Sequence, residues 1–372
     1  MVAVYTQFQQ GQQWQQQVQS QPPLLVLTLG FTATALIPGI SAAGATPRDR
    51  AYTALADAEF MVNGPTAQPQ FPLPSLQAGA SPALISRAVI REQQIPLRVI
   101  NAGLRQPPPV DHLTLGTLPA QCLTTGQALP LEQVHQLWQA GLNWGERLAA
   151  EPVGYLILAE CVVGGTTTAL ALLKGLGIDA LDRVNSSHPV CNHAQKRQVV
   201  LQGLARAGWS PAELGRHPLA WVAAIGDPMQ PVVAGMALAA SRTKPVMLAG
   251  GTQMLAVHAL MQRLAVTEGY DWQPERVVVG TTRWVAEDPT GDTVGLAQLT
   301  QSCLMATQLS FQASRFKALQ SYEQGFVKEG VGAGACAIAA TLYQGWGQAE
   351  ILAAVERLLT AKTAAEARDS QP

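Results

Sequence analysis

The sequence has little charge: Asp, Glu, Lys and Arg make up 13% of its 372 residues, and the formal net charge is −1. This balance gives no electrostatic reason to expect nucleic acid or an anionic membrane as a partner. Any anionic ligand must therefore be held by local groups, because the surface as a whole has no strong field. Apolar residues make up 48% of the chain, so enough of them are present for a sizeable core.

Paired cysteines and long apolar runs are also lacking. A small, unpatterned set of cysteines fits reduced, buried thiols of a cytoplasmic protein better than a disulfide framework. No apolar run is long enough to span a bilayer. Residues 1–21 are rich in glutamine and lack the basic start and apolar run of a secretory signal, so we expect a tail or a weak helix there. The cysteines are Cys122, Cys161, Cys191, Cys303 and Cys336.

Short apolar runs alternate with helix-compatible segments along most of the chain. Strands that alternate with helices at this spacing predict an α/β fold with a mostly parallel, Rossmann-like sheet flanked by helices. Ligands of such sheets bind beyond the carboxyl ends of the strands, where the glycine turns that follow the runs would gather. The predicted strands are Leu24–Gly30, Ile95–Asn101, Tyr155–Ala159, Leu219–Ile225, Pro245–Ala249 and Arg276–Val279.

The sequence divides into five parts. The N-terminal part and the C-terminal helices are expected to form a smaller helical lobe beside the sheet, and helical periodicity extends over Leu296–Tyr322. The parts are a glutamine-rich tail (1–21), an N-terminal part with the first strand and proline-rich connectors (22–150), the core α/β units (151–295), C-terminal helices with a glycine loop (296–360) and a second tail (361–372).

The stretch Val153–Gly175 predicts a strand, a glycine turn and a helix. The strand ends at a carboxylate, Glu160, and the turn contains Gly164-Gly165 followed by the three hydroxyls of Thr166–Thr168. The free N–H groups at a helix start, with glycines that let a phosphate approach, are typical of anion sites. An ordinary turn with a threonine N-cap explains the same pattern.

A second glycine-rich loop surrounds Glu329. Gly325, Gly330, Gly332 and Gly334 flank it, and an alanine-rich helix follows. An acid in this place is explained simply by its favourable interaction with the helix dipole. The more specific interpretation is a carboxylate that projects into a cleft with little bulk beside it, which is the geometry that a general base needs.

Two further segments carry weaker signals. Ser41 and Gly44 lie in a small-residue loop that would allow a flat ligand to approach the backbone, although a tight surface turn fits as well. His188, Cys191 and His193 are residue types that bind metals, but their spacing matches no standard zinc site. A helix start within a loop is the better interpretation, and no metal is predicted.

Two motifs together resemble one family. EGVGAGACAIA (Glu329–Ala339) and AECVVGGTTTALALL (Ala159–Leu173) are similar to the "EGTGAA" and "GEMGIGNTTAASAL" elements of the nicotinate-nucleotide–dimethylbenzimidazole phosphoribosyltransferases, which assemble the lower ligand of cobalamin. GDPMQPVVAG resembles the family's next glycine turn, "VGGPE". TALIPGISAAGATP looks most like its archaeal and cyanobacterial branch. The resemblance runs in order from about Leu24 to Leu359.

The resemblance implies an activity and a set of site residues. Glu329 holds the position of the family's catalytic glutamate, and Glu160 matches the second glutamate. The implied substrates are nicotinate mononucleotide and an aromatic base, in a cytoplasmic homodimer without cofactor or metal. Ser41 and Gly44 are candidates for the base pocket because their small-residue loop would admit a flat ligand, and not because they match a pocket motif of the family. The residues expected at the phosphate and ribose are Gly164, Gly165, Thr166, Thr167, Thr168, Gly226, Asp227, Gly250, Gly251, Thr252, Gly330 and Gly332.

Several alternatives stay open at this point. Gly165 replaces the asparagine of "GNTT", and Val162-Val163 replaces part of the preceding loop. The residues of the family's benzimidazole pocket have no clear match in the N-terminal third, so the acceptor base is not identified. A nucleotide-binding protein without turnover, or a transferase with another phosphoribosyl donor, fits the same motifs. A nicotinamide-dependent oxidoreductase is disfavoured because no GxGxxG with a following acid occurs. A P-loop kinase is disfavoured because GxxxxGK[ST] is absent.

Overall fold

A computed structural model describes residues 1–76, 78–208 and 216–369 of the chain. These residues form eight strands, which join into a single sheet. The strands are β1 (Val2–Val4), β2 (Pro23–Leu29), β3 (Leu97–Asn101), β4 (Leu113–Thr114), β5 (Tyr155–Cys161), β6 (Val246–Ala249), β7 (Val277–Thr282) and β8 (Leu304–Thr307).

Helices cover both faces of this sheet. In chain order they are α1 (Phe8–Val18), α2 (Pro47–Asn63), α3 (Ala83–Glu92), α4 (Leu131–Ala149), α5 (Gly165–Gly175), α6 (His193–Ala207), α7 (Pro218–Ile225), α8 (Met229–Ser241), α9 (Thr252–Thr267), α10 (Arg283–Ala286), α11 (Thr293–Leu299), α12 (Lys317–Gln320), α13 (Ala333–Gln344) and α14 (Gln348–Asp369). None of the helices in the described part of the chain is long and apolar enough to cross a membrane.

The strand order is β1-β8-β7-β6-β5-β2-β3-β4, and every neighbouring pair is parallel except β1 and β8. The predicted α/β class with a mostly parallel sheet flanked by helices is therefore confirmed. Parallel strands buried on both faces need nearly continuous apolar sequence. The run in β5 meets this need, since all seven of its residues are buried.

Alternating side chains of β5 point to two separate cores. Leu156 and Leu158 join a core shared with α4 to α9, which we call the α5 face of the sheet. Tyr155, Ile157 and Ala159 join a core shared with α1, α2, α3, α13 and α14, which we call the α13 face. The helices of the α13 face come from the N- and C-terminal segments, where the smaller helical lobe was expected.

The N-terminal segment is built into the domain. Strand β1 pairs antiparallel with β8, and α1 buries Trp14 and Val18. Trp14 is 1% exposed, its Nε1 donates to the carbonyl of Arg276 at 3.0 Å, and its ring packs edge-on against Tyr155 at 5.5 Å. Of the two expectations for residues 1–21, the tail is wrong and the helix is present, because two apolar residues spaced by four anchor an otherwise polar helix.

Replacing Trp14 by alanine should lower the free energy of unfolding by about 3–5 kcal/mol, the usual range for truncating a buried aromatic side chain. Chemical denaturation followed by circular dichroism measures this. Phe8→Ala is the matched control, because Phe8 lies on the same helix and is 61% exposed; its effect should stay within about 0.5 kcal/mol. Equal effects of the two substitutions would mean that α1 does not pack on the sheet.

Three other expectations need correction. Leu219–Ile225 forms helix α7, with Pro218 in its first turn; a run that is buried on all sides has no period to separate strand from helix. The expected helix over Leu296–Tyr322 is broken by strand β8. Helix α14 continues to Asp369, so residues 361–369 are helical, while 370–372 lie outside the described residues.

The carboxyl ends of the central strands lie side by side. Thr28 of β2 is opposite Glu160 of β5, and Ala249 of β6 is opposite Gly280 of β7. The backbone N–H of Gly250 then donates to the carbonyl of Gly280 at 2.9 Å. Glu160 and the turns that follow β6 and β7 therefore meet at one edge of the sheet, as expected for a parallel sheet with a binding site.

Candidate active site

A cleft of about 1240 Å³, including its mouth, lies over this edge. Its walls come from both faces of the sheet: Glu160 and Thr166 border it on the α5 face, and Asp57 and Glu329 on the α13 face. The cleft therefore crosses the sheet edge, with carboxylates at both sides.

Glu160 is the last residue but one of β5 and is 8% exposed. Its Oε2 accepts the backbone N–H of Val162 at 2.9 Å, and its carboxyl is also hydrogen-bonded to the side chain of Gln253. Gly165 is needed for this arrangement, because a Cβ there would lie 2.0 Å from Oε1 of Gln253. A side chain at residue 165, such as the asparagine of the related motif, would displace Gln253.

Glu329 is held by donors from two elements. Its Oε2 accepts the hydroxyl of Thr281 at 3.1 Å and the N–H of Thr282 at 3.0 Å. The N–H of Gly330 donates to Oε1 at 3.1 Å, and that of Gly334 contacts both oxygens at 3.1 and 3.2 Å. The carboxylate is thus at the N-terminus of α13 and also lines the cleft, which combines the two interpretations that the sequence left open.

Burial raises the pKa of both glutamates. It raises the pKa of Glu160 to about 8, with Asp227 and Glu329 adding repulsion and the bonds from Gln253 and Val162 opposing the rise. It raises the pKa of Glu329 to about 7, against the stabilising donors of Gly334, Gly330, Thr281 and Thr282. Both carboxyls therefore titrate near neutral pH, well above the ordinary range of a glutamate.

The loop that presents Glu329 has an unusual backbone. Val327, Lys328 and Val331 have φ of 69°, 68° and 55°, a region that non-glycine residues rarely occupy. Lys328 is 2% exposed and its Nζ donates to Oδ2 of Asp288 at 2.5 Å. Its carbonyl accepts the hydroxyl of Thr282 at 2.6 Å. These bonds hold a strained loop in place, which is common at functional sites.

Asp288 supplies the negative charge that pairs with Lys328 of this loop. Burial alone would raise its pKa, but the bond from Lys328, with further donors from Thr290 and Asn185, outweighs burial and holds the pKa of Asp288 below its ordinary value. Nδ2 of Asn185 donates to Oδ2 of Asp288 at 3.0 Å. The buried pair is therefore ionised, and Lys328 brings a fixed positive charge to the wall of the cleft.

Two helix N-termini open on the cleft. Helix α5 begins after Gly164, whose φ of 82° is favourable only for glycine, and Thr166 lies in its first turn. Helix α9 begins at Thr252 after Gly251. All four residues line the cleft. Free N–H groups and the helix dipoles make this part of the site suited to an anion such as phosphate.

Some residues expected at the ligand lie behind the cleft. Thr168 donates its hydroxyl to Oδ2 of Asp227 at 2.6 Å, and both side chains are fully buried. Asp227 also accepts the N–H of Met229 at 3.1 Å. Thr167, Thr168, Gly226 and Asp227 are not among the residues that form the cleft wall, so their contact with a ligand stays a prediction.

Other glycines of the expected set shape the backbone. Gly330 lines the cleft. Gly332 does not, and a Cβ there would approach that of Ala159 to 2.9 Å. Gly250 and Gly44 also lie outside the cleft wall, and Gly44 contacts Arg50. Ser41 lies in the wall, with its hydroxyl 3.2 Å from that of Ser187.

Four cleft residues escaped the sequence analysis: Asp57, Gln253, Lys328 and Asn185. Asp57 lies in the middle of α2 and Gln253 in the first turn of α9, without any local motif. Lys328 directly precedes Glu329. Its ion pair with a distant aspartate would have marked it as a site residue, but a single sequence does not reveal that contact. His188, Cys191 and His193 are bonded within the protein, to Gly39, Asp288 and Thr290.

Comparison with known sequences gives matches over most of the chain. A family model described as phosphoribosyltransferase matches residues 77–269. A UPF0284 protein of Cyanothece sp. (strain PCC 7425) is 61% identical over 356 residues, covering 96% of each chain. A UPF0284 protein of Trichodesmium erythraeum is 60% identical over 360 residues, covering 96% of this chain and 98% of the relative.

Comparison with solved structures gives the same fold. The nicotinate-nucleotide–dimethylbenzimidazole phosphoribosyltransferase of Thermus thermophilus has a TM-score of 0.58 at 19% identity, over 95% of this chain and 87% of that one. A crystal structure of CobT from the same organism has a TM-score of 0.60 at 19% identity, over 89% and 84%. At this identity the likeness concerns the architecture of the sheet and its helices.

Proposed function

This chain belongs to the phosphoribosyltransferase family and to the UPF0284 proteins, and from this premise we propose that it transfers 5-phosphoribose from nicotinate mononucleotide to a ring nitrogen of an aromatic base. The products are an α-riboside 5′-phosphate and nicotinate. We further propose that the product serves in assembly of the cobalamin lower ligand. Glu160 and Glu329, which border one cleft together with two helix N-termini, carry the proposal.

The phosphate of the donor binds at the α5 and α9 N-termini. Gly164, Gly165 and Gly251 form the backbone of these turns, and Thr166 adds a hydroxyl. Lys328 supplies positive charge on the same wall while remaining paired with Asp288. A net charge of −1 gives no long-range attraction, so these local groups must hold the phosphate.

Glu329 takes the proton from the acceptor. The acceptor nitrogen attacks C1′, the bond from C1′ to the nicotinate nitrogen breaks, and the departing ring keeps that electron pair. The acceptor's N–H proton passes to the carboxylate of Glu329. The hydroxyl of Thr281 is the donor to Glu329 that rotates away most easily, which frees a lone pair for this proton.

Glu160 faces the positive charge of the reaction. The donor carries a positive ring nitrogen, and positive charge develops on the ribose as the bond to nicotinate breaks. Binding of this cation favours the carboxylate form of Glu160, so the proton that Glu160 holds in the free protein is released when the donor binds. Its charge then stabilises the ribosyl cation at the point where it develops.

The direct test incubates the purified protein with nicotinate mononucleotide and, in turn, benzimidazole, dimethylbenzimidazole and adenine. We expect nicotinate release that depends on the base, together with a riboside phosphate identified by mass spectrometry. Phosphoribosyl pyrophosphate serves as the alternative donor in a parallel reaction, and omission of the base detects simple hydrolysis.

Each outcome of this test has a definite reading. If the protein turns over phosphoribosyl pyrophosphate but not nicotinate mononucleotide, phosphoribosyl pyrophosphate is the donor in place of the one proposed. Tight binding of nicotinate mononucleotide in calorimetry, without release of nicotinate with any base, would identify a binding protein and overturn the proposed transfer. Release without a base would indicate a hydrolase.

A further inference from the structure

Asp57 is a third carboxylate of the cleft, and the proposed reaction does not use it. It lies in α2 and is 4% exposed, yet its side chain borders the cleft. Its Oδ1 accepts the hydroxyl of Ser81 at 3.1 Å and its Oδ2 accepts the thiol of Cys161 at 3.3 Å. A buried carboxyl needs a reason to be there, since its desolvation is costly.

The bonding of Asp57 is incomplete by comparison with that of Glu329. A carboxylate has about four lone-pair sites. Four donors surround Glu329, three of them backbone N–H groups. Asp57 has one hydroxyl and one thiol, and a thiol is a weak donor. Asp57 therefore retains acceptor capacity beside the cleft, in a place where a bound molecule can use it.

Asp57 lies next to the loop of the proposed base. Ser81, which bonds Asp57, precedes Pro82, and a Cβ on Gly330 would lie 2.8 Å from Cγ of Pro82. The hydroxyl of Tyr322 donates to the carbonyl of Ala80 at 2.8 Å, directly before Ser81. A molecule that contacts Glu329 from the cleft therefore has Asp57 within its neighbourhood.

Apolar side chains line the cleft together with Asp57. Cys161 and Asp57 belong to the α13 face, whereas the phosphate-binding helices α5 and α9 belong to the α5 face. Apolar surface beside a carboxylate suits a flat aromatic ring that has a polar hydrogen at its edge. The apolar wall residues are Pro74, Leu76, Pro82, Phe326, Val327 and Val331.

We propose that Asp57 selects the acceptor by binding a hydrogen-bond donor on the aromatic base, at a point away from the ring nitrogen that attacks C1′. The acceptor class is then a heterocycle with a hydroxyl or amino substituent, in preference to one that carries only methyl groups. This inference rests on the proposed function, because it assigns the acceptor half of that site. A methylated ring would leave the remaining acceptor capacity of the Asp57 carboxyl unfilled beside an apolar group, and such a mismatch is disfavoured.

The experiment compares two acceptors of similar shape, 5-hydroxybenzimidazole and 5-methylbenzimidazole. In the unaltered protein, kcat/KM for the hydroxyl acceptor should exceed that for the methyl acceptor by about 10–100-fold, as expected for a hydrogen bond to a charged group. In Asp57→Leu this ratio should fall to about one or below, since leucine removes the charge and suits a methyl group. Asp57→Asn keeps the shape of the side chain and should lower the ratio less.

Asp49→Asn is the matched control. Asp49 is a half-buried carboxylate in the first turn of the same helix, where it accepts the N–H of Thr46, and it lies outside the cleft wall. The same chemical change there should leave the acceptor ratio unaltered. A selective effect of Asp57 variants on the ratio, rather than an equal loss with both acceptors, separates acceptor recognition from damage to the fold.

Binding of each acceptor to the free protein, measured by calorimetry, makes the two proposals separable. Turnover with an acceptor ratio that Asp57→Leu and Asp57→Asn do not change would overturn the role of Asp57 while the proposed transfer stands. If no turnover occurs, but the protein binds the hydroxyl compound more tightly than the methyl compound and this preference depends on Asp57, the role of Asp57 stands and the proposed transfer is overturned. Equal binding of both compounds to the unaltered protein, without turnover, would overturn both.

Discussion

Glu329→Gln should lower kcat for nicotinate release by about 10²–10⁴-fold, the usual contribution of a general base. The amide cannot take the acceptor's proton. In the unaltered protein kcat/KM should rise with pH through about 7, because burial raises the pKa of Glu329 to that value and only its carboxylate acts as a base. This limb of the pH profile should be missing from the residual activity of the variant.

The same substitution has a structural cost that must be separated from the chemical one. Both oxygens of Glu329 accept backbone N–H groups, so the new NH₂ group of glutamine faces a donor in either orientation. A lost and unsatisfied bond of this kind costs about 1–3 kcal/mol of stability. Activity must therefore be expressed per folded molecule, with the folded fraction taken from chemical denaturation.

Glu323→Gln provides the matched control for Glu329→Gln. Glu323 accepts the N–H of Phe311 at 2.6 Å and pairs with Arg283, and it lies outside the cleft wall. Its substitution should lower stability similarly and leave kcat per folded molecule nearly unchanged. Equal kcat values for the two variants would remove Glu329 from the proposed mechanism.

The sequence predicted those features whose pattern is local. The strand β5, the turn at Gly164 and the helix α5 are contiguous, so composition alone marks strand, turn and helix. The loop around Glu329 was detectable for the same reason, since glycines on both sides of an acid before an alanine-rich helix form a short motif. Both segments resembled known signature loops, and the cleft places their two glutamates together.

Features that depend on distant contacts were not predictable in this way. The stabilising anchor of α1 is Trp14 against Tyr155, which a glutamine-rich composition conceals. Helix α7 is apolar on every side, so its period does not distinguish it from a strand. Asp57 enters the cleft only because α2 packs on the α13 face, where Cys161 meets it, and no spacing within α2 indicates this contact.

The loop at Glu329 also differs from its expected form for a physical reason. A glycine-rich loop suggests a freely projecting acid, but three non-glycine residues of this loop have positive φ. The Lys328–Asp288 pair at 2.5 Å holds that backbone, and backbone donors fix the carboxylate. The glycines thus allow α13 to approach the sheet, while a buried ion pair positions the base.

Glu160→Gln should change activity and stability in opposite directions. We expect kcat to fall by about 10²–10³-fold, as for loss of a group that stabilises transition-state charge. Burial, with repulsion from Asp227 and Glu329, raises the pKa of Glu160 to about 8, well above its value of 4.5 in the unfolded chain. Between these two pKa values the folded state holds a proton that the unfolded state releases, so the stability from this group is present below 4.5 and is lost as pH rises through 8.

Glutamine does not titrate, so the variant should lack this loss. Between pH 6 and 8 the unaltered protein should lose about 2 kcal/mol more of its unfolding free energy than Glu160→Gln, because one bound proton corresponds to about 1.4 kcal/mol for each pH unit. Denaturation at several pH values measures the difference, with Glu268→Gln, at the exposed end of α9, as a control that should follow the unaltered protein. If Glu160→Gln loses activity but is less destabilised than the unaltered protein at alkaline pH, the fold holds the Glu160 carboxyl in an unfavourable environment because the reaction needs it there. If the unfolding free energies of the variant and the unaltered protein depend on pH in the same way, Glu160 is instead an ordinary residue at the end of strand β5.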